Sequence, residues 1–253
     1  MTGNTASQPP VALITGASRG LGLETARLFA RRGMPLILTA RNAAALEDAA
    51  SELRTITEVV ALAGDVADAT HSERLVQAGL TRFGRIDVLI NNASTIGPSP
   101  MPALEAYPTD ALAEVFHVNT IAPLRLVQLV LPGMRQHGSG VILNVTSDAG
   151  VQAYPGWGGY GASKAALEHL SRTLAAELEG SGVRIYVVDP GDMNTVMHQE
   201  AEPGVDLSHL PGPEVSAPAL LLLVERERSP FGRFEAQQIV RGHAAGQSEG
   251  GFA

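Results

Sequence analysis

A regular alternation between short apolar runs and longer segments of helical periodicity is the feature that most constrains the fold. Apolar runs of this length are typical of parallel strands that helices cover on both faces. The predicted strands are residues 11–15, 35–40, 58–63, 88–91, 140–146, 183–188 and 233–236. The predicted helices are residues 20–32, 43–55, 72–83, 109–118, 121–136, 159–179 and 213–227. The alternation therefore predicts an α/β fold, in which a single doubly wound parallel sheet of about seven strands has helices on both faces.

The length of 253 residues fits one large domain of this class, and no interior stretch has the composition of a linker. We expect a mobile N-terminus over residues 1–10, the domain over residues 11–240 and a mobile tail over residues 241–253. Residues 191–213 interrupt the alternation with proline and glycine, so they are predicted to form a long loop. Because that loop follows the carboxyl end of a strand, it is predicted to be a lid over a substrate site.

Charge and composition exclude several classes of function. The chain carries 18 Lys plus Arg against 26 Asp plus Glu, and the net charge of −8 argues against nucleic-acid or anionic-membrane partners. The absence of cysteine excludes disulfides, thiolate nucleophiles and cysteine-ligated zinc. The start of the chain lacks the apolar core of a secretory signal, and the longest apolar run is too short to cross a bilayer. We therefore expect a cytoplasmic protein.

The sequence Thr-Gly-Ala-Ser-Arg-Gly-Leu-Gly occupies residues 15–22, directly after the first predicted strand and before a helix. Glycines at such a turn let the backbone approach a pyrophosphate, which the helix N-terminus then receives. The segment, which we call the glycine loop, therefore predicts dinucleotide binding of the Rossmann type, although a tight turn without a ligand has the same local sequence. The predicted contacts in this loop are Gly16, Ser18, Arg19, Gly20, Leu21 and Gly22.

The end of the second predicted strand indicates which dinucleotide is preferred. A site for NAD(H) places a carboxylate there, whereas this chain has Ala40 followed by Arg41. The guanidinium groups of Arg41 and Arg19 are suited to a 2′-phosphate, so NADP(H) is predicted in preference to NAD(H). Two solvated surface arginines are the alternative.

The turns after the third and fourth predicted strands supply further candidate cofactor contacts. Asp65 and Val66 follow the third strand, where Asp65 is predicted to meet the adenine edge. Asn92 and Ala93 follow the fourth strand and are predicted to line the cofactor. Structural hydrogen bonding is an equally good explanation for the asparagine.

Tyr160 and Lys164 stand four residues apart in a predicted helix, so their side chains share one helix face. Tyrosine has an ordinary pKa of about 10. A neighbouring cation favours the phenolate and is expected to lower that pKa. The pair is therefore predicted to transfer protons, although a solvated helix edge shows the same spacing.

Taken together, these residues resemble the compact, non-extended branch of the short-chain dehydrogenase/reductase family from residue 11 to about residue 240. The matching elements are residues 15–22, Asp65, residues 91–93, Asn119, Ser147, Tyr160, Lys164, Pro190, Gly191 and Thr195. The resemblance implies a catalytic tetrad of Asn119, Ser147, Tyr160 and Lys164.

The resemblance also implies a role for each member of the tetrad. Ser147 would hold the substrate oxygen, and Tyr160 would be the general acid in reduction and the general base in oxidation. Lys164 would lower the pKa of Tyr160 and bind the nicotinamide ribose. Asn119 would hold a water that connects Lys164 to solvent.

Further implications concern the nicotinamide and the assembly. Pro190 and Gly191 would pack near the nicotinamide, and Thr195 would hydrogen-bond its carboxamide. The predicted helices 121–136 and 159–179 correspond to the dimer face that is common in the family, so a homodimer or homotetramer is expected.

Within the family that the chain resembles, the spacing of Tyr160 and Lys164 implies carbonyl/alcohol chemistry, for which no metal is expected. A small free substrate is predicted. Glu168, Glu177 and Glu179 on the same helix are expected to oppose docking of an acidic acyl carrier. The predicted substrate contacts are Tyr154, Trp157, Met193 and Met197, with His198 nearby.

Two other functions remain open from the sequence. A catalytically silent NADP(H)-binding sensor or regulator would use the same fold and bind the dinucleotide without turnover. A scaffold that uses the fold only for assembly would show no dinucleotide affinity.

Overall fold

The computed structural model describes residues 9–249, which form a three-layer α/β structure. The strands are β1 Ala12–Thr15, β2 Leu36–Thr39, β3 Val59–Ala61, β4 Val88–Asn91, β5 Gly140–Val145, β6 Val183–Asp189 and β7 Phe231–Glu235. They build one parallel seven-stranded sheet in the order β3-β2-β1-β4-β5-β6-β7, in which Ala12 pairs with Leu36 on one side and Val88 on the other. The predicted doubly wound parallel sheet is confirmed.

Helices cover both faces of this sheet over the described residues. They are α1 Gly20–Arg31, α2 Ala43–Arg54, α3 Ala69–Phe83, α4 Thr109–Phe116, α5 Ala122–His137, α6 Gly158–Glu177, α7 Val196–Ala201, α8 Ala217–Arg226 and α9 Ala236–Glu249. Side chains of α1, α2, α8 and α9 pack with Ala12 and Ile14 in one core cluster. Side chains of α3, α5 and α6 pack with Leu13 in the other. Successive residues of β1 thus face opposite layers, as the period of a strand requires.

Helices α4 and α5 were predicted as separate elements, but a π-helical turn, His117–Ile121, joins them into one continuous helical segment. The turn contains Asn119, a member of the predicted tetrad. A π-helical turn is typical of sites where function requires an irregular backbone.

The joined segment Thr109–His137 is also, among the described residues, the one helix whose length of 29 residues and composition meet the requirements for crossing a membrane. Its residues Val115, Leu126 and Val130 are buried in this fold. Leu126 and Val130 belong to the core beneath the sheet, so the segment packs as a core helix.

Two regions, residues 191–213 and the residues after β7, contain helices that the sequence analysis did not predict. Residues 191–213 are not a simple loop, because they contain α7, which begins at the N-cap Thr195. The predicted boundary at residue 240 falls inside α9, where Ile239 and Val240 pack against the core and hold the start of the helix. Residues 1–8 and 250–253, which belong to the predicted mobile ends, lie outside the described residues.

Candidate active site

A cleft of about 940 Å³ opens at the carboxyl ends of the strands. The chain leaves β1 toward β2 and β3, and later returns to place β4 on the other side of β1. The cleft therefore lies at the topological switch point, where parallel α/β sheets bind their ligands. The predicted site residues that line it are Gly16, Ser18, Arg19, Gly20, Leu21, Arg41, Asp65, Val66, Asn92, Ala93, Ser147, Tyr154, Trp157, Tyr160, Lys164, Pro190, Gly191, Met193, Thr195 and Met197.

The glycine loop has the geometry that a pyrophosphate site needs. Gly16 and Gly20 have φ values of +65° and +58°, which favour glycine. A side chain at Gly22 would place its Cβ 2.4 Å from the carbonyl oxygen of Gly16. Gly22 does not line the cleft. Its lack of a side chain lets α1 approach the loop closely. The shape of the loop fits a bound dinucleotide.

Asn92 braces the glycine loop from the adjacent strand. Its Nδ2 donates hydrogen bonds to the carbonyl oxygens of Thr15 at 2.9 Å and Gly16 at 3.2 Å. The hydroxyl of Thr15 in turn accepts from the backbone N–H groups of Asn92 and Ala93, both at 3.0 Å. The amide of Asn92 therefore shapes the loop, and both of its protons are used within the protein.

The end of the cleft between the glycine loop and the end of β2 carries two arginines. Arg19 and Arg41 are exposed and line this end. Asp65 accepts a hydrogen bond from the backbone N–H of Ala67 at 2.9 Å, which fixes the turn after β3. Both guanidinium groups are placed to meet an anion that enters from solvent.

Tyr160 and Lys164 lie side by side on α6, with Lys164 Nζ 5.5 Å from the centre of the tyrosine ring. The ammonium donates to the carbonyl oxygen of Val145 at 2.8 Å, and the two residues are only 8% and 2% exposed. Tyr160 and Lys164 are therefore close together, as predicted, and both are buried.

This burial reverses the expected direction of the tyrosine shift. Burial raises the pKa of Tyr160, and the charge of Asp189 raises it further, whereas the hydroxyls of Ser94 and Ser147 lower it. Burial also lowers the pKa of Lys164 to about 8. The expected lowering of the Tyr160 pKa by Lys164 is wrong for the protein alone, because desolvation disfavours both charged forms.

Ser147 stands at the end of β5 and is tied to its neighbour Asp148. Its Oγ donates to Asp148 Oδ1 at 2.9 Å and accepts from the backbone N–H of Ala149 at 3.2 Å. The other oxygen of Asp148 accepts from the Tyr154 hydroxyl at 2.7 Å. Burial opposes ionisation of Asp148, but the hydrogen bonds from Tyr154 and Ser147 lower its pKa overall. Asp148 was not predicted, and its position directly after Ser147 was the only signal for it.

Asn119 is fully buried in the π-helical turn and does not line the cleft. Its Oδ1 accepts from Ser94 Oγ at 3.0 Å and from the N–H of Thr95 at 2.8 Å. Its Nδ2 donates to the carbonyl oxygen of Thr95 at 2.8 Å and to Ser163 Oγ at 3.0 Å. These bonds use every proton and lone pair of the amide. The predicted relay water therefore cannot be held by this side chain, which instead ties the turn to the loop after β4.

The end of the cleft where the substrate contacts were predicted is partly apolar. Trp157 packs edge-on against Tyr160, with ring centres 5.8 Å apart, and Met197 packs in the same cluster. Met193 also packs against the core, so part of its surface is unavailable to a substrate. Thr195 uses its hydroxyl to accept from the N–H of His198 at 3.2 Å, which makes it a helix cap as well as a lining residue.

Glu168 was predicted to be a surface charge, but it is only 4% exposed and points into the protein. Its carboxylate accepts from Thr146 Oγ1 at 2.7 Å and from Arg233 Nε at 3.2 Å. Glu177 and Glu179 are exposed, as expected. Neither Glu168 nor Arg233 was predicted at the site. The spacing of four residues between Lys164 and Glu168 was the feature of the sequence that could have placed Glu168 near the site.

Comparisons with known proteins agree with this arrangement. A family model described as short chain dehydrogenase matches residues 10–206. The chain is 37% identical to 2-(R)-hydroxypropyl-CoM dehydrogenase of Xanthobacter autotrophicus over 75% of its length and 76% of that enzyme. It is 36% identical to the rhamnolipids biosynthesis 3-oxoacyl-[acyl-carrier-protein] reductase of Pseudomonas aeruginosa over 72% of both chains.

Solved structures show the same fold. An alcohol dehydrogenase from Thermococcus sibiricus, complexed with 5-hydroxy-NADP, superposes with a TM-score of 0.80 at 31% identity, covering 89% of this chain and 95% of that one. A metagenomic short-chain oxidoreductase in complex with NADP superposes with a TM-score of 0.75 at 28% identity, covering 89% and 95% of the two chains.

Proposed function

Because the chain belongs to the short-chain dehydrogenase/reductase family, we propose that it is an NADP(H)-dependent oxidoreductase that interconverts a ketone or aldehyde and the corresponding alcohol. The observation that carries this proposal is the presence of Tyr160, Lys164 and the glycine loop in one cleft. A proton donor and a dinucleotide-shaped loop that share a partly apolar cavity suit hydride transfer to a carbonyl carbon.

In the proposed reaction, the bound dinucleotide supplies the hydride in reduction and accepts it in oxidation. Tyr160 donates its phenolic proton to the carbonyl oxygen as the alcohol forms, and takes that proton back in the reverse direction. The raised pKa of Tyr160 keeps the phenol protonated at neutral pH, which suits a general acid.

Ser147 and Lys164 orient the reacting groups in this scheme. For Ser147 to donate a hydrogen bond to the substrate oxygen, its hydroxyl turns away from Asp148 Oδ1. Lys164 is held by the carbonyl of Val145, which directs the ammonium toward the cleft beside Tyr160. We assign no step to the side chain of Asn119, since its hydrogen bonds are all used within the fold.

The preference for NADP(H) is supported by charge at the adenosine end. Arg19 and Arg41 line this end, and Ala40 offers no carboxylate to ribose hydroxyls. The complexes of two similar structures with 5-hydroxy-NADP and NADP agree with this preference.

We propose a small free substrate, bound between Trp157 and the lid of residues 191–213. Two relatives are named as reductases of a carrier-bound substrate. The exposed Glu177 and Glu179 on α6 oppose a carrier of the same charge.

The assembly and location follow as further proposals. Ala162, Ala165 and Leu170 on α6 and the neighbouring Ile121 are exposed and present a small apolar surface suited to a second copy. We therefore propose a cytoplasmic homodimer or homotetramer, which light scattering on the purified protein tests directly.

Loss of NADPH absorbance with a panel of ketones and aldehydes, and gain of NADPH absorbance from NADP⁺ with the corresponding alcohols, test the proposed activity. We expect turnover in the wild type and a loss of about 10²–10⁴-fold in Tyr160→Phe, which removes the proton donor. Tyr186→Phe, a change in the core away from the cleft, is the matched control. Tight NADPH binding without turnover, and no effect of Tyr160→Phe, would indicate the sensor instead. Absence of dinucleotide affinity would indicate the scaffold.

A further inference from the structure

A buried carboxylate lies one helical turn beyond the Tyr160–Lys164 pair. Tyr160, Lys164 and Glu168 follow each other at intervals of four residues along α6, so they share one face of the helix. Glu168 is buried and does not line the cleft. It takes no part in binding a substrate or in the proton transfer described above.

Glu168 is held from two sides by groups near the active site. Thr146 Oγ1 donates to Oε1 at 2.7 Å, and Arg233 Nε donates to both carboxylate oxygens at 3.2 Å. The Nη2 of Arg233 also reaches the carbonyl oxygen of Ser147 at 3.4 Å and Asp189 Oδ2 at 3.5 Å. The ion pair of Glu168 and Arg233 thus connects α6 to the carboxyl ends of β5, β6 and β7.

Stability alone is a poor reason for this arrangement. Burial of an ion pair costs desolvation that its own attraction often fails to offset. Apolar side chains of similar volume would fill the same space at least as well. An ion pair with a buried carboxylate and a partly exposed arginine, next to the acid/base centre, therefore calls for an explanation in the chemistry of that centre.

We propose that Glu168 is a positioning residue for the reaction: its carboxylate, held by Thr146 and Arg233 one helical turn from Lys164, keeps the Lys164 ammonium charged beside Tyr160. The catalytic consequence rests on the proposed function, whereas the effect on Lys164 does not.

The surroundings of Lys164 support this assignment. Burial lowers the pKa of Lys164 to about 8, and the charge of Glu168 is the opposing influence. The other ionisable groups around this centre are Tyr160, Asp148, Asp189 and Arg233. All three carboxylates are engaged by donors: Asp189 by Arg233 and the N–H of Gly191, Asp148 by Ser147 and Tyr154, and Glu168 by Arg233 and Thr146. Glu168 differs from the other two because it lies on α6 itself, one turn beyond Lys164 on the same face of the helix, so its charge is the one that favours the ammonium.

The sequence offers an unusually direct test, because Lys164 is the only lysine in the chain. Protein labelled with ¹³C at lysine Cε gives a single side-chain resonance whose shift follows protonation of Lys164. We expect a midpoint near pH 8 in the wild type. Glu168→Gln removes the opposing charge and should lower the midpoint by about one pH unit.

Glu177→Gln, an exposed change on the same helix, is the matched control and should leave the midpoint unchanged. A midpoint in Glu168→Gln equal to that of the wild type would overturn the proposal. If Glu168→Gln does not fold, Glu168→Met removes the same charge without burying an amide, leaves Arg233 paired with Asp189, and should show the same downward shift. An unchanged midpoint in folded Glu168→Met would overturn the proposal equally.

The pH dependence of turnover supplies the catalytic readout. The alkaline limb of kcat should move to lower pH together with the Lys164 midpoint, which a purely structural role of Glu168 would not produce. If the wild type reduces no carbonyl in the panel, the proposed function fails while the Lys164 titration still decides the role of Glu168. A shifted midpoint with an unmoved limb would overturn the catalytic part.

Discussion

The substitution Asn119→Ala separates a structural from a catalytic role for the buried asparagine. Asn119 belongs to the π-helical turn between α4 and α5, and its amide binds the loop after β4 and the α6 residue Ser163. Alanine removes the amide and leaves the backbone N–H and carbonyl of Thr95 without these partners. We expect the substitution to destabilise the fold and not merely to slow a proton relay.

The magnitude follows from the hydrogen bonds that are lost. Four bonds of 2.8–3.0 Å connect the amide to Ser94, Thr95 and Ser163. Each is worth about 0.5–1.5 kcal/mol net, and an unsatisfied buried partner costs more. Ser94 and Thr95 are only partly buried, so water compensates some of this loss. We expect a decrease of about 3 kcal/mol in the free energy of unfolding, which leaves a domain of ordinary stability folded.

Urea unfolding followed by circular dichroism measures this difference, with unfolding free energies taken from linear extrapolation at fixed protein concentration. Asn194→Ala is the control, because Asn194 makes a single exposed side-chain bond, to Gln199. We expect its effect to stay within about 0.5 kcal/mol. A loss below about 1 kcal/mol in Asn119→Ala, together with a large loss of turnover, would refute the structural reasoning and restore the predicted relay.

Three further perturbations address the loop, the lysine and the cofactor preference. Gly22→Ala should cost about 1–3 kcal/mol of stability and weaken dinucleotide binding, because its Cβ would lie 2.4 Å from the Gly16 carbonyl oxygen. Thermal unfolding and NADPH titration measure the two effects, with Gly133→Ala, where a Cβ meets open space, as the control. Equal effects of the two substitutions would contradict the packing argument. Because burial lowers the pKa of Lys164 from 10.5 to about 8, the unfolded chain binds more protons between these values, so stability should rise with pH across that window. Denaturation at several pH values should show this rise in the wild type but not in Lys164→Met. The same dependence of unfolding free energy on pH in both proteins would argue against the lowered pKa of Lys164. Arg41→Ala should weaken NADP(H) binding by about 1.5–3 kcal/mol and leave NAD(H) binding nearly unchanged. Calorimetry with both dinucleotides measures this difference, with Arg135→Ala on the exposed surface of α5 as the control. Equal losses of NADP(H) and NAD(H) affinity in Arg41→Ala would remove the argument from the 2′-phosphate.

Structural features that depend on residues close together in the sequence were predicted well. The apolar runs predicted the strands because a parallel strand covered on both faces needs a continuous apolar stretch. Glycines at residues 16 and 20 predicted the loop because positive φ values are a local steric requirement. The four-residue spacing of Tyr160 and Lys164 predicted their proximity because the helix itself sets it.

Errors in the sequence analysis arose where distant segments meet. The predicted helices 109–118 and 121–136 are joined, and the π-helical turn between them is braced by contacts to the loop after β4. Helix α9 crosses the predicted end of the domain because its first turns pack against the core. Long-range packing of this kind leaves no periodic signal in the segments that take part.

The sequence by itself determined the sheet, the glycine loop and the positions of Ser147, Tyr160 and Lys164, since each depends on backbone geometry over a few residues. Only the tertiary structure decided the electrostatics of these groups. It buried Tyr160 and Lys164 and so moved both pKa values toward the neutral forms. It also turned Glu168 from an expected surface charge into a buried partner of Arg233. The physical reason is that desolvation and ion pairing depend on side chains that the chain brings together from distant positions.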